Sequence, residues 1–488
     1  MRNVISLKKV MTLIGLALVL APGAQAQQPA AVPAPVSLTL EAAVQRALNE
    51  GEEMRTARAQ LGDAQGQVRE AFSGALPQVN GSVTYSRQFA SIFQGLGGAG
   101  DTSGIADAFK NSPFGAANSW NLSVTASQVL FSAGKVGAGL KAAKAFRNGS
   151  EYQQHETAAD VAFRVKRAYL QAQYRQRVLE VAASGLTEAR ASLRQVQLFQ
   201  KAGTRAEYDL LRAQVDAANQ EPVVVQAQGD LDVALLELKR LVNVPAEQPL
   251  ELSTPLNPPD GMIPTLAMDQ IVPAGDRPAL AAAEASVTVR QQLLRATKAD
   301  WWPSLSVQST FSEQAFPGSV FDFSSGFRRN WDAQVKLSIP LFNGFRTAGQ
   351  VNRATAALEQ AIAQRNSVQE QVNLDVAAAR AELLRSRSLL SARRETVRQA
   401  QRAQHLAGVR YANGLSTQLE VSDARLLAQR SEMNEAQSTL DYLVALAELE
   451  RALGRPLPVE RKPLEQASTD DSEIKVGLTT SGKEHSND

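Results

Sequence analysis

The chain has 488 residues, no cysteine, and 51 Lys plus Arg against 49 Asp plus Glu, a formal net charge of +2. Without cysteine there is no disulfide framework, no thiolate metal site and no lipidated N-terminal cysteine. The near-neutral balance gives no field with which to attract nucleic acid, and aromatics at 6% leave a composition suited to long helices with shallow side-chain layers.

Residues 1–26 have the plan of a secretory signal: Arg2, Lys8 and Lys9, an apolar run from Val10 to Leu20, then Ala24-Gln25-Ala26 for cleavage. That run is too short to span a bilayer as a helix, and no later stretch reaches the roughly 20 apolar residues one needs. Any membrane insertion therefore has to use strands.

The mature chain is organised by an internal repeat. Residues 120–245 recur as 331–456 at a constant offset of 211, matching Trp120 with Trp331, Val124 with Val335, Gly203 with Gly414 and Pro245 with Pro456. The first repeat is placed at 27–245, with strands at about 76–89 and 119–131 and a helical hairpin at about 132–243. The second is placed at 277–460, with strands at about 303–312 and 331–342 and a hairpin at about 343–453. A Pro-rich linker or equatorial segment, 246–276, separates them, and a polar tail, 461–488, is expected to be disordered.

Each repeat opens with strict alternation. Val79, Gly81, Val83 and Tyr85 oppose Gln78, Asn80, Ser82 and Thr84, and Leu305, Val307 and Phe311 oppose Ser304, Ser306 and Gln308. The second strand of each pair behaves alike, with Leu122, Val124 and Ala126 against Ser123 and Thr125, and Val335, Leu337, Ile339 and Leu341 against Gln334, Lys336 and Ser338. The wet faces are nearly all Ser, Thr, Gln and Asn. Trp120, Trp301, Trp302, Trp331, Phe131 and Phe342 fall near strand ends, where an interfacial aromatic girdle belongs. Four strands cannot close a barrel, and open edges are not tolerated in lipid. Eight strands would enclose a nearly filled interior, so twelve strands from three chains make the smallest assembly with a passage.

Beyond Phe131 and Phe342 the period becomes helical and runs without a breaker to Gly203 and Gly414. Val376, Leu383, Leu390 and Val397 recur every seven residues, as do Val165, Ala172, Leu179, Leu186 and Leu193, which implies supercoiled helices. The two glycines read as helix C-caps and hairpin tips, and Pro222 predicts a kink or short break in the first returning helix.

These residues resemble the TolC-like outer membrane efflux protein family from about 37 to 460. The resemblance rests on the duplicated strand and hairpin plan, on Leu341-Phe342-Asn343-Gly344, and on the tip phrase Tyr411-Ala412-Asn413-Gly414-Leu415 followed by Glu420-Val421 and Asp423-Ala424. It implies a mixed fold: a membrane β-barrel with four strands per chain and twelve per homotrimer, continued by a long α-helical coiled-coil barrel in the periplasm. It implies no cofactor and an outer-membrane exit duct for a tripartite efflux or type I secretion system. The partners implied are outer-membrane lipid, a periplasmic adaptor (membrane fusion) protein, and an inner-membrane pump or ABC exporter. The tip residues Gly203, Thr204, Gly414 and Leu415 match the adaptor-contacting positions. Glu420 and Asp423 match a periplasmic gate of inward carboxylates, with Tyr411 and Asp209 fitting a polar link between coiled coils, although Ser416 stands where an arginine is expected.

The alternative is a periplasmic coiled-coil adaptor or structural protein, which explains the helices but not the four alternating strands. Catalysis has no foothold: His155, His405 and His485 are far apart and no phosphate-binding glycine loop is present.

Overall fold

The computed structural model describes residues 35–90, 116–204, 206–256, 277–317, 319–320 and 326–454. The signal, residues 91–115 between the first two expected strands, part of the linker and the tail lie outside these. The chain runs β1 (Val36–Leu38), α1 (Leu40–Glu50), α2 (Glu52–Ser73), β2 (Gln78–Arg87), β3 (Asn118–Phe131), α3 (Lys135–Lys201) and α4 (Glu207–Leu241). After β4 (Leu250–Leu252) come α5 (Pro278–Lys298), β5 (Ser304–Ala315), β6 (Arg328–Ser338), α6 (Arg346–Ala412) and α7 (Gln418–Ala452). The fold is the mixed one expected, helical with one four-stranded antiparallel sheet at one end.

Two 67-residue helices, α3 and α6, carry the length. At 1.5 Å per residue each is about 100 Å long. Near the sheet they run beside α2 and α5; beyond the middle they run beside α4 and α7. The seven-residue spacing is visible as burial at Leu383 and Leu390 on α6 and at Val165 and Ala172 on α3; farther along α3 the buried seam runs through Ala182, Ala189 and Val196, three positions on from Leu179, Leu186 and Leu193, which are half-buried. Alanine dominates the α3 seam, and so short a side chain lets helix axes come close. At Gly185 even a Cβ would lie 2.8 Å from the Gln429 side chain of α7.

Midway, β1 pairs in parallel with β4 across 214 residues of sequence, Val36 opposite Leu250. These two strands and α1 close over a core of Val44, Leu48, Val161, Val165 and Leu238. Tyr169, fully buried, donates its hydroxyl to Leu38 O at 2.9 Å and accepts from Thr254 N at 3.1 Å, tying α3 to β1 and to the chain just past β4. Nearby, buried Arg277 at the start of α5 bonds Glu156 of α3 at 3.2 Å and Asp375 of α6 at 3.3 Å. One guanidinium thus pins three helices, and removing either partner would leave a buried charge undercompensated.

Two details refine the sequence reading. Pro222 sits inside α4 without a break, the helical assignment continuing on both sides of it. Its ring lies on the exposed side, where the carbonyl it leaves unbonded can be met by water, while Ala213, Ala217, Ala227 and Leu231 hold the other face against the bundle. β6 ends at Ser338, so Ile339, Leu341 and Phe342 continue past the ladder. Pro340, between them, has no N–H to give one.

Candidate functional site: a two-faced sheet and two hairpin tips

The sheet order is β2-β3-β5-β6, every neighbour antiparallel, with β2 and β6 left as free edges. Register aligns the alternation of all four strands. Val83 faces Leu122, Gly81 faces Val124, Val124 faces Phe311 and Phe311 faces Trp331 on one side. On the other, Ser82 faces Ser123, Ser123 faces Ser312 and Ser312 faces Asn330. Hydroxyls bond across that wet face, Ser82 to Ser123 at 2.8 Å and Thr125 to Thr310 at 3.4 Å.

A one-residue slip would reverse every side chain, and the sheet makes a single adjustment, a bulge between Val129 and Phe131. The bulge brings Phe131 onto the apolar side opposite Leu305, at the end where the helices begin. The apolar side stays exposed in the single chain, Val79 at 65%, Val335 at 69% and Leu337 at 60%. Among the described residues the one ion pair on that parity, Glu313 with Arg329 at 2.9 Å, lies at the end of the sheet away from the helices.

The six aromatics divide between the two ends. Trp301 and Trp302 immediately precede β5, Phe131 closes β3 and Phe342 follows β6, all at the helix side. Trp120 and Trp331 lie toward the far side and a little inside their strands; Trp120 Nε1 donates to Val320 O and Trp331 Nε1 to Ser309 Oγ, each at 2.9 Å.

At the opposite end of the molecule both hairpins turn the same way. Gly203 and Gly414 have φ of +71° and +74°, the left-handed conformation that ends a helix. In each, the next residue's N–H reaches back five positions, Thr204 N to Phe199 O at 3.0 Å and Leu415 N to Arg410 O at 2.8 Å. Leu415 is 69% exposed, so the second tip presents an apolar knob.

Tyr411, 3% exposed, carries the second hairpin onto the first: its ring meets Phe199 at 6.4 Å and packs with Val196 and Ala213. Asp209 is half-buried in the first turn of α4. Glu420 and Asp423 stand one turn apart on the exposed side of α7, away from buried Gln418, Ser422 and Arg425. Thr417 caps that helix by accepting from Glu420 N at 3.3 Å, and Glu420 lies 3.9 Å from Arg410.

The sequence reading missed the strongest polar contact here. Arg425, 4% exposed, pairs with Asp216 of α4 at 3.1 Å, and Ser422 Oγ donates to the same carboxylate at 2.5 Å. A buried arginine so matched holds α4 and α7 together, and so holds one hairpin to the other. A signal for it existed: at the repeat offset Asp216 is replaced by Leu427 and Arg425 by Gln214. The arginines of α6 behave as a solvated face, with Arg385 paired to Glu382, Arg398 to Glu395 and Arg394 to Glu435. Among the described residues no cluster of potential metal ligands occurs.

With this geometry in hand, the outer membrane efflux protein family model matches residues 43–244 and 274–455. The pyoverdine export outer membrane protein OpmQ of Pseudomonas aeruginosa is 24% identical over 439 residues, 87% of this chain and 87% of that protein. Outer membrane protein OprJ of the same organism is 28% identical over 179 residues, 36% of this chain and 37% of that one. The solved outer membrane protein VceC of Vibrio cholerae superposes with a TM-score of 0.68 at 20% identity, covering 85% of this chain and 96% of that one, a likeness of fold.

Proposed function

Since the chain belongs to the outer membrane efflux protein family, we propose that three copies of it close one barrel and one helical tunnel, forming a duct from the periplasm to the exterior. The chain itself is an efflux channel component of the outer membrane, with its helices in the periplasm. The observation that carries the trimer is the sheet: two free edges, one largely apolar face, and one polar face of Ser, Thr, Gln and Asn on which β6 alone adds charges, Arg328, Asp332 and Lys336. Lipid admits no open edge. With four alternating strands per chain, β6 of one copy can meet β2 of the next antiparallel, and the alternation closes around the ring. Three copies leave a passage where two would not.

In this reading the repeats divide at the Pro-rich segment, and the aromatics at the two sheet ends sit at the two membrane boundaries. Gly203, Thr204, Gly414 and Leu415 present the tips to a periplasmic adaptor, which joins the duct to an inner-membrane pump that supplies the energy. Glu420 and Asp423, exposed on one helix face, line the narrow end as rings of carboxylates that favour cations. Tyr411, Asp209 and the Asp216–Arg425 pair hold that end together. Efflux of small molecules is favoured over protein secretion because named relatives such as the toluene efflux pump outer membrane protein of Pseudomonas putida serve efflux pumps. A periplasmic adaptor would have no use for an apolar sheet face this exposed. Mass determination in detergent tests the assembly: three chains are expected, and a stable single chain or pair would overturn it.

A further inference from the structure

The helix ends beneath the sheet carry a basic excess. In the thirteen residues of each helical segment nearest the strands, 61–73, 135–147, 289–301 and 346–358, ten Lys and Arg face three Asp and Glu, whereas the whole chain has 51 against 49. Between α3, α5 and α6 these ends form a groove of about 440 Å³ whose lining includes Lys135, Arg290, Arg353, Leu293 and Asp300.

Its one acid, Asp300, is spoken for by Lys135 at 2.6 Å. Arg290 and Arg353 are exposed and make no ion pair or hydrogen bond among the described residues. The groove is also half apolar, with Leu293 40% exposed within it and Trp301 and Trp302, 54% and 66% exposed, just above. That is the side of the sheet where the apolar band gives way to helices. Unpaired guanidiniums below and bare indoles above offer what a lipid needs at a membrane boundary: cations for a phosphate and an apolar wall for the start of its chains.

We propose that this groove binds the headgroup of an anionic phospholipid from the periplasmic leaflet of the outer membrane. The phosphate sits with Lys135, Arg290 and Arg353, and the acyl chains follow the apolar sheet face. A free phosphate would satisfy the guanidiniums but leave the apolar wall bare. The proposal rests on the membrane placement of the sheet and adds to it a lipid preference that the channel reading does not require.

Native mass spectrometry of the whole protein, with phosphatidylglycerol and phosphatidylcholine supplied equally, tests it. Phosphatidylglycerol should be retained about tenfold over phosphatidylcholine, and the Arg290→Gln/Arg353→Gln variant should lose that preference, since each cation near a lipid surface is worth about a fivefold change in binding. Arg402→Gln, far along α6, should keep it. Equal retention of both lipids by the unaltered protein, or an unaltered preference in the double variant, would overturn the proposal, as would full displacement by inorganic phosphate. Normal channel currents beside equal retention would sink the lipid site and leave the duct standing. If the double variant fails to assemble, a salt series on the unaltered protein decides: the preference should collapse as salt rises, and a salt-independent preference refutes it.

Discussion

The first hairpin turns at Gly203 and the second at Gly414, and along the backbone the two turns are copies, with φ of +71° and +74° and the same five-residue return bond. Their side chains are not copies. Helix α7 begins with a capping threonine, Thr417, where α4 begins with Ala206 and has no side-chain cap. Arg410 reaches Leu415 O at 3.3 Å and approaches Glu420 on the second tip, and its repeat equivalent, Phe199, packs its ring on Tyr411 instead. Asp216 and Arg425 each occur in one repeat only. Duplication supplied two hairpins able to lie side by side, and single-copy residues then tied one to the other. Elements shared by the repeats build the two hairpins; elements that differ are what tie one hairpin to the other.

The largest expected effect tests that distinction. Asp216→Ala leaves Arg425 buried without its carboxylate and should cost roughly 3–5 kcal/mol of local stability, read as faster hydrogen exchange in α4 and α7 near the tips. Exchanging both residues for leucine should restore most of it. An unchanged exchange rate in Asp216→Ala would show that the pair holds nothing.

At the sheet the repeats should behave as equals. Val124→Arg and Val335→Arg occupy equivalent positions on the apolar face, and each should lower barrel stability by roughly 2–4 kcal/mol. Lys336→Ala, on the wet face, should change it little. Urea unfolding of the protein reconstituted in lipid would expose a wrong parity at once, because all three variants would then behave alike.

Smaller effects separate turn from cap. Gly203→Ala and Gly414→Ala should each cost about 1–2 kcal/mol, both glycines being left-handed. Thr417→Ala should cost about 1 kcal/mol, while Ala206→Gly on the first tip should cost nothing, because glycine is the better N-cap of the two. Thermal melts comparing the four would blur the contrast if the first tip proved as sensitive at its cap as the second.

The smallest effect is a pH dependence away from both ends. Hydrogen bonding to Arg164 holds the Glu53 carboxyl below its ordinary value of 4.5. A carboxyl lowered on folding contributes stability above its unfolded pKa and loses it as pH falls through the folded one. Both groups are substantially exposed, so the contribution is a few tenths of a kcal/mol. Arg164→Gln should remove that share of the acid-side loss below about pH 4.5, measured by melting from pH 6 downward.

Much of the architecture is legible in the sequence because it is periodic. Alternation at Val79 to Tyr85 and at Leu305 to Phe311 reveals strands, and the sevenfold recurrence of Leu383 and Leu390 reveals a coiled coil. What escapes is short or unrepeated. Strands β1 and β4 have three residues each, too few for alternation to register, and their pairing spans most of the first repeat. Helices α2 and α5 are rich in alanine and glutamine, which bury little and so leave a faint apolar stripe. Pro222 signals a break in isolation, but the packed face of α4 holds the helix through it. The Asp216–Arg425 contact joins helices distant in sequence and shows only as two mismatches between the repeats.

Planar-bilayer recording of the purified protein, set against the Glu420→Gln/Asp423→Asn variant, addresses the duct most directly. A cation-selective current whose reversal potential moves toward zero in the variant is the predicted result. A protein that gives no current in lipid would contradict the barrel itself, and a current with the same reversal potential in both would remove the two carboxylates from its path.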